Sequence, residues 1–443
     1  MSSLRLLTRP KSAVSSIDYQ ADRCGTGSSF SLSNQAIVKD MVPVVVVNSS
    51  LNSLGVVRSL ARGRMPIYLV ATTRRGPAVW SRFCRFECIP SLVGRDLVDG
   101  LISLSRRIGQ RPVLILTSDA EVQTISTYRE EIAPYFRLSL PSKEMVRTLA
   151  DKTLFQKYAE REGLPVPKAV AVCDLAGLSL LKTLAFPVVI KPADKTFVLD
   201  GKVERAVRCG TLESAHATAS RMLKCASPLV VQEWIEGADS DIYFTLFACD
   251  ATSRATAMFS GRKLVCDPPA VGNTAVCIAA APALADELEG ICRNFIARVG
   301  YQGIGSMEFK RDSRDGRLVM VEPTVGRTDW QEEIATLCGI NIPLLTYATE
   351  LCYAVEGTPR PTTRAAWCSS VAHRLPQAAL PRGTQRFDGY LRINDPLPGV
   401  YYYVIEKVLG RVYRLARRIL RYPERVCISV AKHGVSWSNK IKW

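Results

Sequence analysis

The sequence predicts a mixed α/β and α+β protein: a small parallel α/β domain, then a larger unit with antiparallel sheets in two subdomains, then a basic C-terminal helix. Three observations carry this expectation. Short apolar runs alternate with helical patterns up to about Pro141, which suits strand-helix-strand units. After Ser142, strand-like runs are joined by short polar turns, which suits antiparallel pairing. The last segment sets apolar residues on one helical side and cations on another.

With 443 residues, 47% of them hydrophobic, the chain can bury more than one core, and two or three domains are expected. Residues 1 to 40 lack a continuous apolar core and read as a poorly ordered tail rather than a secretory signal. A first domain follows over 41–141. Val44 to Val47 is a fully apolar strand, succeeded by the polar loop Asn48-Ser49-Ser50 and a helix from about Leu54 to Ala61. Ile67 to Val70 is a second strand and Val113 to Leu116 another, leading into Thr117-Ser118-Asp119, a helix cap. No Gly-x-Gly-x-x-Gly loop occurs, so this domain is not expected to bind a dinucleotide.

The second unit spans 142–355. Ser142 caps one helix, and Asp151 to Gly163 forms another before Pro165 and Pro167. Phe186 to Pro192 and Leu229 to Gly237 read as strands, Ile242 to Cys249 and Ala255 to Ser260 as an antiparallel pair, and Pro282 to Val299 as a helix. From 356 the chain is a Pro- and Arg-rich connection to the C-terminal helix. There Val404, Val408, Val412, Leu415 and Ile419 share one side, Lys407, Arg411, Arg414, Arg418 and Arg421 another, and Pro423 ends it.

Composition excludes several classes. Fourteen cysteines without a dense framework suit free thiols in a reducing cytoplasm. Three histidines and no two-residue Cys spacing argue against structural zinc, and the lack of a Gly-x-Ser-x-Gly elbow argues against a serine hydrolase. No apolar run is long enough for a transmembrane helix. The net charge of +17 points to phosphates, anionic membrane surfaces or acidic substrates. Nucleic acid is not expected, because base-stacking signatures and zinc-finger spacings are absent.

Gly303 to Lys310 and Leu318 to Arg327 flank a polar turn containing Asp315-Gly316, and so form a hairpin. Each strand carries one carboxylate, Glu308 and Glu322. Projected from one end of a shared sheet, they would clamp magnesium, which takes one or two carboxylates and leaves its other positions to water and phosphate. The competing reading is two solvated surface acids.

Read in order, Asp151-Lys152-Thr153-Leu154-Phe155, Val189-Ile190-Lys191-Pro192, Val231-Gln232-Glu233-Trp234-Ile235-Glu236-Gly237, Glu308 and Glu322 resemble the motif series of the ATP-grasp superfamily, in particular its carboxylate-amine ligase branch. The resemblance covers roughly residues 44 to 355, the first domain corresponding to the pre-ATP-grasp domain of such enzymes, and it implies a flexible lid at about 180–235 within the second unit. It implies ATP with Mg2+ or Mn2+, and a small-molecule or peptide carboxylate joined to an amine through an acyl phosphate, with release of ADP. Lys152 and Lys191 would meet phosphates, with solvated lysines as the alternative. Gln232, Glu233, Trp234 and Ile235 would form the hinge that reads adenine through main-chain groups, or Trp234 would be core. Asp239 or Asp241 would hold the ribose. Arg262 and Lys263 would face substrate or triphosphate, or form a solvated edge.

The pattern departs from the family in two places. Glu322-Pro323-Thr324 puts threonine where an asparagine commonly completes the metal shell, and Arg327 lies one residue further on. Thr324 still offers oxygen to magnesium. Arg327 would stabilise the transferring phosphoryl group or acyl phosphate, or else pair with Asp329, Glu332 or Glu333. Lys191 to Thr196 also lacks a glycine-rich flap, for which Lys195 and Lys202 would compensate by charge. These departures motivate the alternative of a nucleotide-binding protein with reduced catalysis, docked on a partner or anionic membrane through its basic C-terminus. A bacterial cytoplasmic setting is expected, with membrane association at the inner surface. The basic helix would bind the lipid surface or pack on the enzyme.

Overall fold

The computed structural model describes residues 41–193, 203–270, 272–353 and 360–409. The expected N-terminal tail, Lys195 and Lys202, and the part of the expected C-terminal helix from Gly410 onward lie outside these residues.

Four strands open the described chain: β1 (Val44–Val47), β2 (Ile67–Ala71), β3 (Arg85–Cys88) and β4 (Val113–Ile115). They form a parallel sheet in the order β3-β2-β1-β4. β1 is buried at every position, which is why it is four valines rather than an alternating strand. Helix α1 (Leu51–Ala61) begins a turn before its apolar pattern suggests, because Ser50 Oγ accepts from the Ser53 N–H at 3.4 Å. At the start of α2 (Asp119–Thr127), the Glu121 carboxylate accepts from the Thr117 and Ser118 N–H groups at 3.0 and 3.1 Å. These bonds hold the loop after β4.

A second sheet, most of it in the stretch expected as a lid and called the lid sheet below, is antiparallel, in the order β5-β8-β6-β7, from β5 (Ala169–Val172), β6 (Val188–Pro192), β7 (Val207–Cys209) and β8 (Leu229–Glu233). The central sheet has seven strands, β9 (Ile242–Cys249), β10 (Ala255–Asp267), β11 (Asn273–Ala279), β12 (Gly303–Arg311), β13 (Leu318–Val325), β14 (Ala365–Cys368) and β15 (Gln385–Asp388). Its order is β13-β12-β9-β10-β11-β14-β15, antiparallel except for the parallel pair β14 and β15. Alternate residues of β9 serve two cores. Tyr243 and Phe247 pack with Cys292 and Phe295 of α3 (Pro282–Val299), whereas Phe244 and Leu246 belong to the separate core that also holds Leu54 and Leu60 of α1. The central sheet is therefore fixed between α3 and the first domain. Among the described residues, no helix is long and apolar enough to cross a membrane.

The Pro- and Arg-rich stretch after 355 contributes more than a connection. Its composition masks β14, whose four residues are all buried and which extends the central sheet. Beyond β15 the chain returns to α1, where Arg58 donates through Nε to Asp395 at 3.0 Å and through its two terminal nitrogens to the Gly389 and Tyr390 carbonyls at 2.8 and 2.7 Å. The expected C-terminal helix is present over Tyr401–Leu409, wound as a π-helix.

Glu332 lies beneath α1, 1% exposed, with Oε1 lacking a hydrogen-bond partner among the described residues. Burial, reinforced by neighbouring Glu333, pushes its pKa up to about 8. The folded state thus binds a proton that the unfolded chain releases near pH 4.5. The stability this proton contributes is full below pH 4.5 and is lost as pH rises towards 8. Glu332→Gln is expected to remove that decline, worth at most about 1.4 kcal/mol per pH unit. Urea denaturation of both proteins between pH 5 and 8.5 measures it, and identical slopes would refute it.

Candidate functional site

A cleft of about 360 Å³ lies between the lid sheet and the central sheet. Its walls bring together Lys152, Lys191, Gln232, Glu233, Trp234, Ile235, Lys263, Glu308, Glu322 and Arg327, residues that stand far apart in sequence. Lys152 is the first residue of the helix Lys152–Arg161, which is capped by Asp151, whose Oδ1 accepts from the Thr153 and Leu154 N–H groups, each at 2.8 Å.

Lys191 sits near the end of β6, and its Nζ donates to Gln232 Oε1 at 3.4 Å. Burial lowers its pKa, opposed by the charges of Glu322 and Glu308. It is a desolvated cation facing two carboxylates, an arrangement suited to receiving a polyanion. Glu308 of β12 and Glu322 of β13 are direct cross-strand partners, so both side chains leave one face of the sheet. Lys263 of β10 is buried and ion-paired to Glu308. Burial opposes its charge, but Glu308 prevails and raises its pKa.

The hinge after β8 is held from behind. The Trp234 N–H donates to the Pro187 carbonyl at 2.9 Å, and Glu233 Oε1 accepts from the Ala185 N–H at 2.8 Å. The Ile235 N–H has no backbone partner among the described residues, which leaves a main-chain donor at the cleft wall. Trp234 is not core. Lys310 Nζ lies 4.3 Å and Arg208 Cζ 5.4 Å from its ring, cations from the central sheet and the lid respectively.

Four expected residues do not line the cleft. Asp239 is used to shape the β10–β11 turn, its two oxygens accepting from the Cys266 and Ala270 N–H groups, both at 2.8 Å. Asp241 caps the preceding turn by accepting from the Ala238 N–H at 2.9 Å. Both carboxylates thus serve turns away from the cleft wall in this structure. Arg262 precedes Lys263 by one residue and takes the opposite face, where its Nε donates to the Ser240 carbonyl at 2.5 Å. Thr324 pairs across the hairpin with Ser306, whose hydroxyl instead bonds Asp329 Oδ2 at 3.2 Å. The donors that fit magnesium are thus the Glu308 and Glu322 carboxylates, two hard oxygen groups on one face.

Sequence reasoning missed Asp119. The residue opens α2 in the first domain, and its carboxylate binds Arg327 in bidentate fashion, at 2.5 Å to Nε and 3.2 Å to a terminal nitrogen. Burial opposes the Arg327 charge, yet Asp119 raises its pKa further. None of the partners expected for Arg327 supplies this contact. Gly326 makes it reachable, turning the chain with φ +65°, a conformation that favours glycine. Its N–H donates to the Tyr301 hydroxyl at 2.9 Å. Also missed were Lys310 and Arg205. The latter crosses from lid to central sheet and donates to Asn273 Oδ1 at 2.7 Å. The cap signal at Ser118 was the one available pointer to Asp119.

No protein-family model matches the chain. Its sequence is 25% identical over 325 residues to a D-aspartate ligase of Enterococcus faecium, an alignment covering 69% of this chain and 75% of that protein. Its fold is similar to the biotin carboxylase domain of Hydrogenobacter thermophilus 2-oxoglutarate carboxylase, solved with MgADP and bicarbonate, with a TM-score of 0.55, 14% identity and 73% of each chain covered. It is also similar to Staphylococcus aureus N5-carboxyaminoimidazole synthetase complexed with ADP, with a TM-score of 0.58 and 10% identity over 73% of this chain and 81% of that one. With the ordered motifs, the three sheets and the cleft between lid and central sheet all in agreement, the chain has the ATP-grasp fold and resembles the carboxylate-amine ligase branch of that superfamily.

Proposed function

We propose that this ATP-grasp protein is a magnesium-dependent ligase that activates a carboxylate with ATP and joins it to the amine of an amino acid, releasing ADP and phosphate. The observation that carries this reading is the convergence of Lys191, Lys263, Glu308, Glu322 and Arg327 on one cleft. Adenine would lie at the hinge, where the Ile235 N–H is open and apolar side chains cover the wall. Lys152 and Lys191 would hold phosphate oxygens, and Lys191 gains most because its charge is already desolvated. Mg2+ held by Glu308 and Glu322 would neutralise phosphate charge as it moves. One carboxylate oxygen of the substrate attacks the γ-phosphorus, the bond to the bridging oxygen breaks, and ADP leaves. The amine then attacks the acyl carbon, phosphate departs with the bonding pair, and the nitrogen loses a proton. Arg327 and Lys263 would compensate the charge on the transferred group.

D-aspartate, named for the Enterococcus relative, is the first amine to try. The test supplies ATP, Mg2+, D-aspartate and a panel of carboxylates, one oxygen-18 labelled at its carboxyl group. ADP and transfer of one labelled oxygen into phosphate are expected. Formation of AMP and pyrophosphate would overturn the reading, and tight ATP binding without turnover across the panel would favour a nucleotide-binding protein with reduced catalysis.

Asp119 acts through Arg327 and is a positioning residue. Asp119→Asn keeps the size but loses the charge that steers the guanidinium, so kcat should fall about ten- to a hundredfold. KM for ATP should change by less than about threefold, because Arg327 serves the transfer rather than nucleotide binding. Steady-state kinetics separate the two, and a rise in KM alone would contradict the assignment.

A further inference from the structure

We infer that the turn and helix over 391–408 form a docking surface for an anionic lipid bilayer. Exposed large apolar side chains concentrate here: Leu391, Ile393, Leu397, Val400, Val404 and Val408, with Ile393 at 103% and Leu397 at 52% exposure. Leu397, Val400, Val404 and Val408 recur at three- and four-residue spacing, so they share one side of the helical segment. Leu391 adjoins them, since a Cβ added at Gly399 would meet its side chain at 2.7 Å.

The polarity of the turn is the reverse of what water selects. Arg392 and Asp395, the bridged pair that closes it, point inward, Arg392 to Glu333 at 2.9 Å and Asp395 to Arg58 at 3.0 Å. Ile393, at the tip, points out. Buried ionic contacts thus hold an apolar tip away from the protein. The helix is anchored from its other side. Tyr402 stacks on Tyr390 with ring centroids 3.5 Å apart, Tyr401 stacks on Trp80 at 5.7 Å, and the Tyr403 hydroxyl donates to Asp388 Oδ2 at 2.7 Å.

Charge selects the occupant. Arg74, Arg75 and Arg82 are exposed on the loop against which the segment packs, and Lys407 is exposed on the helix itself. The sequence that continues from Gly410 holds nine lysines and arginines and one acid, Glu424. Two copies meeting here would oppose like charges, whereas anionic headgroups complement them. Apolar side chains beside basic ones match the interfacial region of a bilayer.

Flotation of the full chain with vesicles is the test, using phosphatidylcholine alone and phosphatidylcholine mixed with phosphatidylglycerol. Binding to the mixed vesicles is expected at least about tenfold tighter than to the neutral ones. The double substitution Ile393→Asp with Leu397→Asp should weaken it by at least about tenfold, with thermal stability and ADP formation unchanged. Equal binding to both vesicle types would overturn the proposal, as would binding that ignores the double substitution. A lipid-free dimer that the substitution dissolves would identify the surface as a contact between copies instead.

Discussion

Glu308→Gln is expected to lower the rate of ADP formation about 10²- to 10³-fold, the scale seen when one electrostatic stabiliser of a transition state is removed. Two effects combine. The cleft loses one of the paired carboxylates that fit magnesium, and Lys263 loses its partner. Lys263 is buried, with only 6% of its side chain exposed, so its unpaired charge also costs stability. Loss of one member of a buried pair costs about 3–5 kcal/mol, and the low end applies because the Glu308 side chain is 32% exposed. The two effects can be separated. Adding Lys263→Met should recover much of the lost thermal stability, because it removes the stranded cation, but none of the lost rate. ADP release and thermal denaturation of the single and double variants provide the check. Full activity in Glu308→Gln would remove the carboxylate from the site.

Lys191→Met is expected to weaken ATP binding about 10²- to 10³-fold, since a charge-assisted phosphate contact in a water-poor site is lost. Thermal stability of the free protein should not fall in parallel. Burial already disfavours the charged lysine, so its pKa lies below 10.5 in the folded protein. The unfolded chain holds the proton more tightly, and stability therefore rises with pH between the folded value and 10.5. ATP binding has the opposite dependence. Phosphate favours the ammonium form, so affinity should decline as pH passes the depressed value, by at most about tenfold per unit. Calorimetric titration with a non-hydrolysable ATP analogue across alkaline pH measures this. A Lys191→Met protein with the same decline would assign the titration elsewhere.

Order and local chemistry were legible in the sequence. The cap at Ser142, the helices over Lys152–Arg161 and Pro282–Val299 and the hairpin carrying Glu308 and Glu322 follow from patterns a few residues long. Motif order then pointed to the superfamily. What escaped depends on long-range register. The contact between Asp119 and Arg327 spans 208 residues and joins two sheets, so no local pattern encodes it. Arg262 and Lys263 were weighed as a pair, although strand alternation must send neighbours to opposite faces, and only pairing decides which faces the cleft. Asp239 and Asp241 had the chemistry for a ribose, but main-chain N–H groups engage them, Cys266 and Ala270 of the distant β10–β11 turn at Asp239 and Ala238 of its own turn at Asp241. Only the Asp241 contact is short-range turn chemistry; the Asp239 contacts depend on how separate loops pack.

Arg58 has a consequence for modularity. Its guanidinium, in the first domain, is satisfied by groups more than 330 residues later, at Gly389, Tyr390 and Asp395. The cooperative unit therefore closes through its C-terminal part, although the residues proposed for catalysis end near Arg327. A shortened chain ending at residue 355 would strand Arg58 inside the protein and leave β11 with an open edge where β14 now pairs. Such a piece should aggregate while retaining every side chain proposed to act in catalysis. Recombination could exchange the lid between relatives, but the clasp from Ala365 to Asp395 must travel with the first domain that it closes.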